Sequence, residues 1–252
     1  MDRSHHALDL FERAPHSPST DIDSGVFSSG TVADDTAHAL FGPLHYEPGY
    51  AYPLIVWLHG PNDDERQLLR IMSQVSMRNY VAVAPRGTDR PDEANGYRWR
   101  QSDEHMALAE QRISDSIDIA RAKFHVAPDR IFLAGFDCGG TMAFRVAMEY
   151  PRRFAGVISL GGAFPSGGRL LSRLHEVRRL GVFLAVGRDS DVYPPEHVCE
   201  HLRLFHTAGL SLTLRQYPCG HEISPQMLAD LDRWVIEQIT APRECEVESD
   251  VE

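Results

Sequence analysis

Ile131-Phe132-Leu133-Ala134-Gly135-Phe136-Asp137-Cys138-Gly139-Gly140-Thr141 decides the fold of this chain. An apolar run enters a glycine-flanked turn and leaves it directly as a helix. That is the pattern of a nucleophile elbow, where one residue sits on a sharp bend at the end of a strand. Strand and helix cross closely at such a bend, so the positions two residues to either side must be small. Gly135 and Gly139 are those residues, which centres the bend on Asp137. Centring it on Cys138 instead would put Phe136 where a small residue is needed, so Cys138 ranks well below Asp137.

Outward from the elbow, short apolar runs alternate with helical spacing. The runs Leu54–Leu58, Tyr80–Ala84, Gly156–Leu160 and Val182–Val186 lack in/out alternation. They suit strands covered on both faces, as in a parallel sheet. Leu212–Tyr217 alternates more clearly and is expected as the last strand, nearer an edge. Met106, Ala109, Ile113, Ile117, Ala120 and Phe124 step at helical spacing, so that segment lays one stripe on the sheet. Further helices are expected over 141–150, stopped by Pro151, over 195–205, and after Ser224-Pro225, a capping serine with proline at the first turn. The last of these would bury Leu228, Leu231, Val235 and Ile239. Strands alternating with helices mean an α/β fold with a mainly parallel sheet and helices on both faces. One or two antiparallel strands are expected within 25–45.

Composition bounds what the chain does. Its 252 residues, 42% hydrophobic, are enough for one sizeable core. The net charge of −11 argues against nucleic acid and anionic membranes as partners. The most basic stretch, Arg169–Arg179, reads as a solvated helix face. No apolar run is long enough to span a bilayer, and no leader-like core marks residues 1–14. Cys138, Cys199, Cys219 and Cys245 show no metal-ligand spacing. A cytoplasmic protein with free thiols, without metal or other cofactor, is the expectation; oligomeric state is not legible. Residues 1–24 and the acidic stretch 241–252 are expected as disordered tails around an α/β domain over 25–240.

Trp57-Leu58-His59-Gly60, Ala84-Pro85-Arg86-Gly87, Gly96-Tyr97-Arg98-Trp99, the elbow, Gly187–Pro194 and Gly220-His221-Glu222 follow one another in an informative order. In these the chain resembles the phospholipase/carboxylesterase group of α/β-hydrolases, with dienelactone hydrolases as near relatives, over roughly 41–239. The resemblance implies an α/β-hydrolase fold and a small ester-like substrate. It also implies a triad in the order nucleophile, acid, histidine. The nucleophile is serine in that group, and its place falls here on Asp137. The histidine maps to His221. The acid's frame, glycine, two residues, aspartate, three residues, proline, puts Ser190 where the aspartate belongs. Asp189 and Asp191 flank it. Asp191, reaching inward by a one-residue loop adjustment, is the choice for the orienting role; the competing reading is that both are solvated turn residues. The oxyanion donors map to the N–H of Cys138 and to Pro61, which has none; Asn62 is the substitute. Losing one such donor typically costs about 3–4 kcal/mol of transition-state stabilisation. Tyr97, Trp99 and Phe164 are candidates to line the pocket.

An aspartate changes the expected chemistry. A carboxylate is a poor nucleophile towards an ordinary ester, and beside His221 it tends to keep the imidazole protonated, which removes the general base. Ordinary serine-type ester hydrolysis is therefore expected to be impaired or lost. Two alternatives stand beside this. Asp137 could displace at saturated carbon through an alkyl-enzyme ester, as in haloalkane dehalogenases and epoxide hydrolases. Those enzymes carry a helical cap, for which 164–180 is too short, and commonly a tryptophan where Cys138 stands. Otherwise the scaffold persists as a non-catalytic binding protein. A metal held by Asp137, His221 and a flanking aspartate is not demanded by any spacing.

Overall fold

The computed structural model describes residues 28–30, 37–92, 95–165 and 174–241. The tail expected at 1–24, all of the tail expected at 241–252 except Ala241, and residues 169–173 of the basic stretch lie outside them. Eight strands form one sheet: β1 (Ser28–Gly30), β2 (His38–Phe41), β3 (Tyr52–Leu58), β4 (Val81–Pro85), β5 (Val126–Phe136), β6 (Gly156–Leu160), β7 (Gly181–Gly187) and β8 (Leu212–Tyr217). Their order is β1-β2-β4-β3-β5-β6-β7-β8. β1 pairs antiparallel with β2 and β2 with β4, and every other pairing is parallel. Of the one or two antiparallel strands expected upstream, two are present.

Alternate side chains along each strand divide the core in two. Leu54, Val56 and Leu58 of β3 join one apolar cluster, while Ile55 and Trp57 join the other. The first cluster is closed by α2 (Asp103–Lys123), α3 (Cys138–Glu149) and α5 (Pro195–Ala208), the second by α1 (Gln67–Val75) and α6 (Pro225–Thr240). All seven residues of β3 and all seven of β7 are buried, which is why neither alternates in sequence. Helices thus cover both faces, and the chain has the α/β-hydrolase fold.

Local sequence sets the helix ends. Ser102 accepts the His105 N–H at the start of α2, where Asp103 and Glu104 face the positive end of the helix and Arg121 and Lys123 the negative end. Ser224 caps α6 through the Met227 N–H, with Pro225 in the first turn. Gly209, at φ 69°, closes α5 in the left-handed conformation. Helix α1 is missing from the helices named above, although Leu68, Ile71, Met72 and Val75 bury its inner face at helical spacing. Of the stretch Arg169–Arg179, the described part holds one turn, α4 (Leu174–Val177), whose Val177 is buried. Among the described residues no helix is long and apolar enough to cross a membrane.

The chain runs from β3 outward to β4, then returns to place β5 on the other side of β3. Strand order therefore reverses between β3 and β5, and the carboxyl ends of strands at such a switch point form a crevice. The β3–β5 register pairs Leu58 with Gly135, which sets His59-Gly60 beside Phe136-Asp137.

Candidate active site

Asp137 stands at the junction of β5 and α3, at φ 50° and ψ −121°. A non-glycine residue at positive φ is sterically costly, by about 1–3 kcal/mol. The surroundings enforce it. The Asp137 N–H is bound to Leu160 O, and its carbonyl accepts the Thr141 N–H as the first bond of α3. Close approach of the backbones explains the flanking glycines: a Cβ at Gly139 would lie 2.2 Å from Leu58 O, and one at Gly135 2.5 Å from the Gly139 carbonyl carbon. Asp137 thus sits on the bend that the spacing of glycines predicts.

Its carboxylate meets His221, carried on the loop after β8. Asp137 Oδ2 lies 2.5 Å from His221 Nε2, with both side chains mostly buried. The imidazole stacks on Phe136 with ring centroids 5.2 Å apart. Gly161, at φ 64°, passes so close that a Cβ there would lie 3.0 Å from His221 Cε1.

The other imidazole nitrogen corrects an expectation. Nδ1 faces Ser190 Oγ at 3.1 Å. Asp191 is exposed, and Asp189 is exposed and paired with Arg188. The one-residue adjustment that would bring Asp191 inward does not occur because the loop has no slack. Arg188 N–H binds Tyr217 O, Asp189 N–H binds Cys219 O, and Ser190 N–H binds Gly187 O. A Cβ on Gly187 would lie 2.0 Å from Gly220 O, so the two loops are already in contact. Ser190 is buried and accepts the Tyr193 N–H at 3.1 Å. Tyr193 in turn anchors the loop to α5 through its hydroxyl, 2.7 Å from His201 Nδ1. The sequence frame did point at Ser190; preference for a carboxylate pointed away from it.

The shoulder opposite the elbow is built from β3 and β4. His59 is fully buried. Its Nε2 accepts the Gly87 N–H at 2.9 Å, so its Nδ1–H donates to Gly60 O at 2.7 Å. Burial holds this imidazole below its ordinary value of 6.5, despite the opposing pull of the Gly60 carbonyl and nearby carboxylates. Gln67 Oε1 accepts from Trp57 Nε1 at 2.7 Å and from the Gly60 N–H at 3.3 Å. With the Gly60 N–H so engaged and Pro61 lacking one, Asn62 is the next backbone donor along the loop. It is exposed, at φ 58°. Glu65, also buried, is held by Arg86 through two bonds of 2.8 and 2.7 Å. Burial alone would raise the Glu65 carboxyl, but Arg86 outweighs it and the carboxyl sits below its ordinary 4.5. His59, Gln67, Glu65 and Tyr193 were not foreseen as site residues. A His-Gly at a strand end was the one visible signal.

The remaining candidates divide. Cys138 is the first residue of α3, so its N–H belongs to the turn without intrahelical partners. Burial pushes its thiol up to about 11. Tyr97 is half-buried, with the Arg86 guanidinium 4.7 Å and that of Arg90 5.5 Å from its ring centre. Trp99 is 1% exposed and packs against His59, which corrects its assignment as a pocket-lining residue: it has almost no surface to offer a ligand. Phe164 is buried among Phe144, Phe205 and His201. Among the described residues no group of three His, Cys, Asp or Glu side chains is placed to hold a metal ion.

Comparison with known proteins agrees with this architecture. The Phospholipase/Carboxylesterase family matches residues 49–238, and the chain belongs to that family. Among its relatives, "Probable carboxylesterase Os04g0669500" of Oryza sativa subsp. japonica is 26% identical over 170 residues, which cover 67% of this chain and 64% of the rice protein. The chain thus spans just under two thirds of that relative's length. Among solved structures, SOBER1 of Arabidopsis thaliana superposes with a TM-score of 0.65 at 20% identity, covering 75% of this chain and all of that one. The carboxylesterase of Mesorhizobium loti gives 0.67 at 17% identity over 82% of this chain and 98% of its own. At these identities the structural likeness speaks for the fold.

Proposed function

We propose that this carboxylesterase-type α/β-hydrolase has lost ordinary serine-type ester hydrolysis, Asp137 standing where the esterases hold their nucleophilic serine. The observation that carries this is the 2.5 Å contact between Asp137 Oδ2 and His221 Nε2. An ionised carboxylate only accepts hydrogen bonds, so Nε2 is the donor there. The nitrogen that would take a proton from an attacking hydroxyl already bears one. Its ligand on this reading is a small ester-like molecule. The net charge of −11 disfavours nucleic acid and anionic membranes, and the cytoplasm is the compartment that the free thiols suit.

A panel of p-nitrophenyl esters from acetate to octanoate tests this. The chain and its Asp137→Ala variant are expected to hydrolyse them equally slowly. Robust turnover that Asp137→Ala abolishes would defeat the proposal.

One observation favours a second reading. Asp137 is held at the first turn of α3, beside an imidazole, with 19% of its side chain exposed. In an alkyl-transfer route one carboxylate oxygen attacks a saturated carbon and the bond to halide or epoxide oxygen breaks. Halide leaves as the anion, or the opened epoxide oxygen takes a proton from solvent. With Asp137 esterified, His221 carries its hydrogen on Nδ1 and takes a proton from water at Nε2. The hydroxide adds to the ester carbonyl, the bond from that carbon to the alkyl oxygen breaks, and the alcohol leaves with the proton from His221. Loss of a proton to solvent restores the carboxylate. Incubating the His221→Gln variant with haloalkanes and epoxides should trap an adduct on Asp137. Absence of added mass there removes this reading.

A further inference from the structure

The three groups of a serine hydrolase triad are all present, but two have traded places. A hydroxyl, Ser190, sits on Nδ1 of His221, where the orienting carboxylate normally lies. A carboxylate, Asp137, sits on Nε2, where the attacking hydroxyl normally lies. We infer that Ser190 is a positioning residue paired by exchange with Asp137, and that it holds His221 in the tautomer with hydrogen on Nε2, the reverse of the one ester hydrolysis needs. This rests on the proposed loss of serine-type hydrolysis and gives its structural reason.

A neutral imidazole has one N–H, and the Asp137 carboxylate takes it at Nε2. Nδ1 is then an acceptor and needs a donor. Ser190 supplies one at 3.1 Å, because the Tyr193 N–H occupies a lone pair of its oxygen and leaves the hydroxyl hydrogen free to turn towards the ring. A carboxylate at 190 could not play this part. It would demand Nδ1–H, and a second carboxylate would then face the same ring. Hydroxyl at 190 and carboxylate at 137 are therefore a matched pair. The relay does not run backwards with Ser190 as nucleophile, because that residue is 5% exposed and offers a substrate carbonyl almost no surface.

The inference is tested without activity by long-range proton–nitrogen NMR of His221 in the full chain at pH 8–9. The expected spectrum has a protonated Nε2 and a bare Nδ1. Hydrogen on Nδ1, alone or together with Nε2, overturns the inference while leaving the proposed loss of esterase activity standing if the chain is still inert. The second arm compares Asp137→Ser with the double variant Asp137→Ser/Ser190→Asp on p-nitrophenyl acetate. The double variant is expected to exceed the single one by roughly 10²-fold or more in kcat/KM, with hydrogen moved to Nδ1. A double variant no faster than Asp137→Ser also overturns the inference. Should the double variant fail to fold, the spectrum of the unmodified chain decides alone.

Discussion

Replacing Arg86 by methionine should destabilise the protein by about 3–5 kcal/mol, because it strands a buried charge. Glu65 is only 3% exposed, and its two carboxylate oxygens are held by Arg86 Nη2 and Nε at 2.7 and 2.8 Å. Methionine keeps most of the alkyl stem that packs near Tyr97, so the loss reports the guanidinium. For a chain of this size the penalty corresponds to a fall in Tm of roughly 6–20 °C. Urea unfolding of the four corners of a cycle, with Glu65→Gln and the double variant Glu65→Gln/Arg86→Met, isolates the pair. The double variant should lie within about 2 kcal/mol of the unmodified protein, since removing both charges leaves neither stranded. The pair also has a pH signature. The Glu65 carboxyl in the folded state lies below 4.5, so its contribution is complete above that pH and is lost as pH falls through the folded value. The double variant should show a flatter acid limb below pH 4.5. An Arg86→Met variant within 1 kcal/mol of the parent, or a cycle without coupling, would refute the reasoning.

His59 gives a second pH effect. Its folded pKa lies below 6.5, so the unfolded chain binds the extra proton first, and stability is complete above pH 6.5 and declines as pH falls from there towards the folded value. The stability advantage over His59→Gln, read from urea midpoints at pH 7.5 and 5.5, should narrow at the lower pH. Gly139→Ala should cost at least about 3 kcal/mol, because its Cβ would press on the Leu58 and His59 carbonyl oxygens, whereas Gly49→Ala, with nothing within 4 Å, should be near neutral in the same unfolding assay. Iodoacetamide at pH 8, followed by peptide mass mapping, should label the exposed Cys199 well before Cys138, whose thiol burial pushes up to about 11.

The sheet was legible because its strands are buried on both faces and so appear as unbroken apolar runs. The elbow was legible because backbone crowding leaves glycine as the only residue that fits at 135 and 139. Asp137 and His221 were brought together by that reading, and their contact follows from strand order. Helix α1 escaped because Gln67, Arg70, Ser73 and Gln74 interleave its apolar stripe with polar residues. Ser190 escaped for a different reason. Its position was visible in the Gly187–Pro194 spacing, but which side chain turns inward depends on hydrogen bonds to the Tyr217 and Cys219 carbonyls and from the Tyr193 N–H, distant or local, that no spacing records. Trp99 was misplaced because an aromatic between two loops looks alike in sequence whether it floors the site from beneath or faces the ligand.

The Gln67 amide has a consequence of its own. It also donates to Asp63 Oδ2 at 2.8 Å, so one side chain braces the β3 tryptophan, the Gly60 backbone and the start of the following helix at once. The Gly60 N–H is thereby committed to the brace, so an anion-stabilising donor on this side has to come from the Asn62 turn, leaving the strand beneath it undisturbed.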